Sequence, residues 1–188
     1  MEKKNLIILL SSVFTVSFIL ILALLFITDI NINNDYKQYI SGLEKYSNSD
    51  FVGAKKDFKK IGLFSELKPV AIYREALCDS KMKNTSGEIK KYEKLKHFHK
   101  NSVVTSRAVY SLAKFYYQNK NFNKALKEFK YVSKHYSKSK YAVASNYFIA
   151  AIESEKFKNN PKKEREILKK TKQYLLKSPN GVYAISCA

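Results

Sequence analysis

The apolar positions of this chain recur in a long period. Tyr39, Tyr73, Tyr110 and Tyr147 stand 34, 37 and 37 residues apart, and each is followed three positions later by a small residue, Gly42, Ala76, Ala113 and Ala150. Twelve residues beyond the first three small residues come Ala54, Glu88 and Ala125. Each is followed at +4 and +7 by apolar side chains: Phe58 and Ile61, Tyr92 and Leu95, Phe129 and Val132. The fourth copy fits after two extra residues near Asn160 and Pro161, giving Glu164, Leu168 and Thr171. Within each copy the apolar residues fall at helical spacing, so a period of this length predicts stacked helical hairpins, each helix A, turn, helix B. The third copy is the clearest. Residues 106–118 carry Val109, Leu112, Ala113 and Tyr116 on one stripe, residues 119–121 make the turn, and residues 122–136 answer with Phe122, Ala125, Leu126, Phe129 and Val132. Small residues at Ala113 and Ala125 let the two helices approach closely.

A different pattern opens the chain. Residues 6–27 contain no charge, Gly or Pro, and as a helix they rise about 33 Å, against a hydrocarbon core of roughly 30 Å. The stretch exceeds the apolar region of a signal peptide and residues 22–28 at its end offer no Ala-x-Ala cleavage site, so it predicts an uncleaved transmembrane signal-anchor. Lys3 and Lys4 precede it and Asp29 and Asp35 follow, which keeps residues 1–5 cytoplasmic and exports the rest. The expected organisation is therefore a tail at 1–5, a span at 6–27, a polar connector at 28–35 and a repeat domain at 36–188. The expected location is the cytoplasmic (inner) membrane, single-pass, with the repeats on the periplasmic or cell-wall side.

Composition sharpens this picture in two respects. Five Gly and three Pro in 188 residues leave few strand punctuators, and 45% apolar content suffices for a core, so the fold class is all-α. The formal net charge is +19, yet Arg occurs only at Arg74, Arg107 and Arg165 among 35 basic residues. Lysine spread over helix faces lacks the forked geometry of base and phosphate readout, which speaks against a specific nucleic-acid partner. Two accounts of the charge stand: a coding bias toward Lys, Asn, Ile and Tyr, or attraction to an anionic lipid or wall polymer.

Candidate chemistry is sparse. His97 and His99 lie at i, i+2 and so point to different helical faces, His135 is isolated, and Cys78 and Cys187 have no metal-ligand spacing. Cys78 reads as a packed thiol. Glu153 and Glu155, and Glu164 and Glu166, sit among lysines and read as surface charge partners. With no phosphate-cradling glycine loop and no recognisable Ser, His and acid spacing, the sequence assigns no catalytic residue, no cofactor and no metal.

Leu112, Ala113, Tyr116, Phe122, Ala125 and Phe129, with Ser137, Ser139, Tyr141 and Ala142 after them, resemble the tetratricopeptide repeat. The second copy departs from that pattern with Glu88 in place of Ala and Asp79 in place of an aromatic residue, and the fourth with Glu153 and its insertion. The resemblance covers residues 36–176 and implies a right-handed superhelical solenoid of antiparallel helix hairpins whose A helices line a concave, protein- or peptide-binding groove. On that implied geometry Arg107, Tyr110, Lys114 and Tyr117, at steps of 3, 4 and 3, share the groove-facing side of the third A helix. Two cations and two rings there suit acidic or aromatic peptide segments. The competing reading is that the periodic tyrosines pack between neighbouring hairpins.

The implied activity is that of a non-enzymatic, membrane-anchored scaffold serving envelope assembly, secretion or quality control. A weaker resemblance, carried by the same Ser-x-Ser-x-Tyr-Ala link, is to the helical N-terminal region of peptidoglycan lytic transglycosylases, which implies a non-catalytic part of a longer protein. Residues 179–188 resemble the opening of a further repeat, so the chain is expected to end either in a stub helix or within a longer array.

Overall fold

The computed structural model of the chain describes residues 2–177, with side chains described at 13–24 and 32–172. Among these residues there are eight α-helices and no strand: α1 Glu2–Ser47, α2 Phe51–Lys60, α3 Lys68–Lys81, α4 Thr85–Phe98, α5 Val103–Gln118, α6 Phe122–His135, α7 Lys140–Lys156 and α8 Pro161–Lys177. The fold is all-α. The helix breaks of the third copy fall within three residues of their expected places, and its turn falls at residues 119–121.

The expected transmembrane anchor is not retained. Residues 28–35 continue α1 without a break, and the described side chains inside the expected span are those of residues 13–24. Among the described residues no helix is long and apolar enough to cross a membrane. The single-pass location in the cytoplasmic membrane and the periplasmic or wall-side placement of the repeats are withdrawn with it. The side chains of the rest of that span, the continuation expected at 179–188 and Cys187 lie outside the described residues.

The chain divides into two compact units, Met1–Ala71 and Ile72–Ala188. In the first, α2 packs on α1. The chain turns through Ser49, at φ 64°, and Asp50 then caps α2 by accepting a hydrogen bond of 2.8 Å from the Gly53 amide. Gly42 is buried in α1 under the Phe58 ring, where a Cβ would lie 2.6 Å from the ring edge, so the closest approach of the two helices requires glycine. The buried carboxylate of Asp57 accepts from Lys45 at 2.5 Å, from Ser41 at 2.7 Å and from Lys60 at 3.2 Å.

Burial alone raises the pKa of Asp57, but the hydrogen bonds from Lys45, Ser41 and Lys60 outweigh it and hold the group at about 2, below its ordinary 3.8. The folded state thus binds this proton less readily than the unfolded chain. The stabilisation is complete above about pH 4 and disappears as pH falls toward 2, a change of about 2 kcal/mol. Chemical unfolding at pH 5 and pH 2.5 checks it: the stability advantage of the wild type over Asp57→Asn is expected to shrink by about 1.5 kcal/mol, roughly two-thirds of the full effect, because pH 2.5 is still above the folded pKa.

In the second unit the same turn recurs. Lys83 and Lys120, at φ 58°, precede the caps Asn84 and Asn121, whose side chains accept from the Gly87 and Lys124 amides at 3.2 and 3.3 Å. All three turns close identically. The cap amide reaches back five residues, Asp50 to Lys45, Asn84 to Asp79 and Asn121 to Tyr116, at 2.8–2.9 Å, while the preceding left-handed residue bonds three back. This paired closure satisfies the last carbonyls of each A helix and starts the B helix within two residues. At the fourth copy the turn differs: Asn160 accepts from the Lys163 amide at 3.2 Å, and Pro161 opens α8, where its missing N–H costs nothing.

Ile72, Tyr73, Ala76, Tyr92, Leu95, Ala108 and Leu112 make one core cluster across α3, α4 and α5. Ala113, Ala125, Phe129 and Ile152 make another across α5, α6 and α7. Adjacent residues Leu112 and Ala113 therefore serve two neighbouring faces of α5, with Tyr116 packed against both clusters. Two expectations for the packed stripes fail. Phe122 is 40% exposed, and Leu168 is 53% exposed while Ile167 and Thr171 are half-buried, so the inward face of α8 runs through Glu164, Ile167 and Thr171.

Asp79, where an aromatic was expected, is fully buried against Lys91 at 2.5 Å and Asn84 at 2.9 Å, with Glu75 3.9 Å from the same ammonium. Thirty-four residues earlier the same two positions hold Lys45 and Asp57. The two hairpins thus carry one ion pair in opposite polarity. In the third, the corresponding α6 position is Glu128, which takes Lys96 of α4 at 2.6 and 2.8 Å.

Candidate partner-binding face on α5

Each residue expected to line a groove is on α5, and the structure places them as follows. Arg107 is exposed, and its guanidinium stacks 5.3 Å from the centre of the Tyr73 ring. Tyr110, Lys114 and Tyr117 are half-buried. Tyr110 lies 5.8 Å from Phe129, 5.4 Å from Tyr141 and 6.2 Å from Phe148, between ring centres. Tyr117 meets Phe122 at 5.6 Å and Phe148 at 5.0 Å, and Phe148 stacks flat on Phe129 at 4.8 Å.

The two tyrosines therefore share one aromatic platform built by α5, α6 and α7, with Phe148 as its centre. Ring contacts of this geometry fix each side chain, so a ligand meeting the partly exposed Tyr110 and Tyr117 finds them already ordered. The periodic tyrosines differ in depth: Tyr73 is 5% exposed while Tyr39, Tyr110 and Tyr147 are half-buried. Desolvation by burial raises the pKa of Tyr73, although the nearby Arg107 charge acts in the opposite sense. Tyr73 is a packing residue, whereas Tyr110 combines packing with partial exposure.

The remaining sequence candidates fall away from this face. His97 stands on the last turn of α4 with its ring nitrogen 3.6 Å from Glu93, and the His99 carbonyl accepts from the Thr105 hydroxyl at 2.6 Å. His135 is not isolated, as its ring stacks on Tyr131 at 4.1 Å. Cys78 is fully buried. Glu153, Glu155 and Glu166 meet Lys130, Lys158 and Lys170 at 2.7, 3.7 and 2.6 Å. Among the described residues no three His, Cys, Asp or Glu side chains converge to hold a metal ion.

Sequence reasoning missed Phe148 and Tyr141, the α7 rings that position the α5 tyrosines. The available signal was Phe148 beside the periodic Tyr147, where two adjacent aromatics on a helix must serve different faces. No protein-family model matches the chain, and no curated protein matches it.

Proposed function

We propose that this chain is a non-enzymatic scaffold of tetratricopeptide-like hairpins that holds a segment of another protein against α5. On this reading the hairpins follow one another as a right-handed superhelical array. Support for the array comes from the three turns that recur with one hydrogen-bond closure at 34 and 37 residues. The observation that carries the binding role is the face of α5. Tyr110 and Tyr117 are partly exposed on a preorganised ring platform, with the cations of Arg107 and Lys114 in the same helical row. Such a surface suits an extended segment rich in acidic and aromatic residues, because carboxylates meet the cations while rings stack on rings.

A photoreactive residue at position 114 is expected to crosslink one partner protein in intact cells, identified by mass spectrometry, and Arg107→Glu is expected to reduce that capture by about tenfold, equal to about 1.4 kcal/mol. No capture from position 114, with capture instead from a photoreactive residue at the exposed Lys127 of α6, contradicts the assignment.

A further inference from the structure

In the first three copies a ring from the B helix lies over the small residue of the A helix: Phe58 over Gly42, Tyr92 in one cluster with Ala76, and Phe129 in one cluster with Ala113. The fourth copy has no such ring. Its corresponding residue, Leu168, is turned outward and 53% exposed. The helices α6, α7 and α8 there border an open cleft of about 660 Å³, with Ala150 among its lining residues. Its apolar lining comes from Leu126, Ile149, Ala150, Phe157 and Ile167. Cavities of roughly 300–1,000 Å³ with an apolar lining and a few polar groups are the size and character of small-molecule sites.

The charged lining is unequal. Lys130, Lys156, Lys163 and Lys170 face it with only two carboxylates, Glu153 and Glu166. Lys130 and Lys170 are matched by those two at 2.7 and 2.6 Å. Lys156 bonds to the neutral amide oxygen of Asn123 at 3.3 Å, and Lys163 lies 4.8 Å from the centre of the Phe157 ring. The surplus is two positive charges beside an apolar hole.

We propose that this cavity binds a small carboxylic acid with an alkyl or ring body, the body replacing the absent B-helix ring over Ala150 and the carboxylate meeting Lys156 and Lys163. No α5 residue lines the site, although its Leu126 and Ile149 pack on the same core cluster as Tyr110 and Tyr117, and the proposal does not depend on the role of the α5 face.

Dodecanoate, below its micelle-forming concentration, titrated calorimetrically into the full chain tests this. Saturable binding of one dodecanoate per chain is expected, with dodecyltrimethylammonium giving none. Ile167→Phe, which fills the hole, and the pair Lys156→Glu with Lys163→Glu are each expected to weaken binding by about tenfold or more, equal to about 1.4 kcal/mol or more. Lys90→Glu with Lys138→Glu, a matched charge change at exposed positions off the cavity, is expected to leave it within about twofold. Should Ile167→Phe fail to fold by circular dichroism, Thr171→Phe fills the same hole. The proposal is overturned by absence of binding, by equal binding of the cationic detergent, by undiminished binding to the filled variant, or by equal loss in the charge-matched control. It is likewise overturned if only an acidic aromatic peptide, and not dodecanoate, occupies the site.

Discussion

Replacing Lys91 by methionine is expected to cost about 3–5 kcal/mol, because it removes the ammonium that stands 2.5 Å from the fully buried Asp79 carboxylate and 3.9 Å from Glu75. Urea unfolding monitored by circular dichroism measures this. The more discriminating variant is a transplant. The first hairpin places Ser41, Lys45 and Asp57 where the second has Glu75, Asp79 and Lys91. Installing Glu75→Ser, Asp79→Lys and Lys91→Asp together copies the working arrangement in reversed polarity. The triple variant is expected to regain more than half of the loss in Lys91→Met, since the desolvated charges are again matched. A triple variant no more stable than Lys91→Met contradicts the equivalence of the two hairpins. Opposite polarity also has a consequence for pairing: a helix of the first hairpin set against the wrong partner of the second brings Lys45 to Lys91 or Asp57 to Asp79, which disfavours exchange.

Phe129→Ala is expected to cost a similar amount, about 3–5 kcal/mol, through lost burial and a cavity that three helices close only in part. The ring is fully buried, stacks on Phe148 and flanks Tyr110, so its loss also removes the support of the α5 platform. Two measurements separate these consequences. Thermal unfolding reads the stability, and the crosslinking yield from position 114, taken well below the melting temperature, reads the platform. Phe129→Leu refills most of the volume without the flat stack. It is expected to recover most of the stability but less of the crosslinking.

The helices and their turns were legible in the sequence because both signals are local. Apolar residues at helical spacing recur with the repeat, and each B helix begins at Asp50, Asn84, Asn121 or Asn160, residue types whose short side chains cap helix amides. The buried ion pairs were not legible. A search for repeated residue types sees Asp57, Lys91 and Glu128 as unrelated, although all three occupy one position of the hairpin and each makes a buried or part-buried charge contact.

The slip on α8 has a packing cause. Leu168 keeps the sequence phase, but Ile167 and Thr171 turn inward where no ring holds the register. The opening apolar run misled for a different reason. Its composition fits a membrane span, yet no helix among the described residues is long and apolar enough to cross a membrane. At the candidate site the shared face of Arg107, Tyr110, Lys114 and Tyr117 follows from steps of 3, 4 and 3. Their differing depths follow from rings on α7 and α3, which no spacing within α5 reveals.

Amide hydrogen exchange resolved to single residues tests the tandem hairpin most directly. The account predicts protected stretches over α2 to α7 interrupted by fast exchange at the first-turn amides of α4 and α6, Thr85, Ser86, Phe122 and Asn123, which have no carbonyl four residues back within their helix, with the capped closures at Asn84 and Asn121 slower than these. Fast exchange at Asn84 and Asn121, protection at residues 85–86 and 122–123 equal to that of the helix cores, or fast exchange throughout α5 and α6 contradicts it.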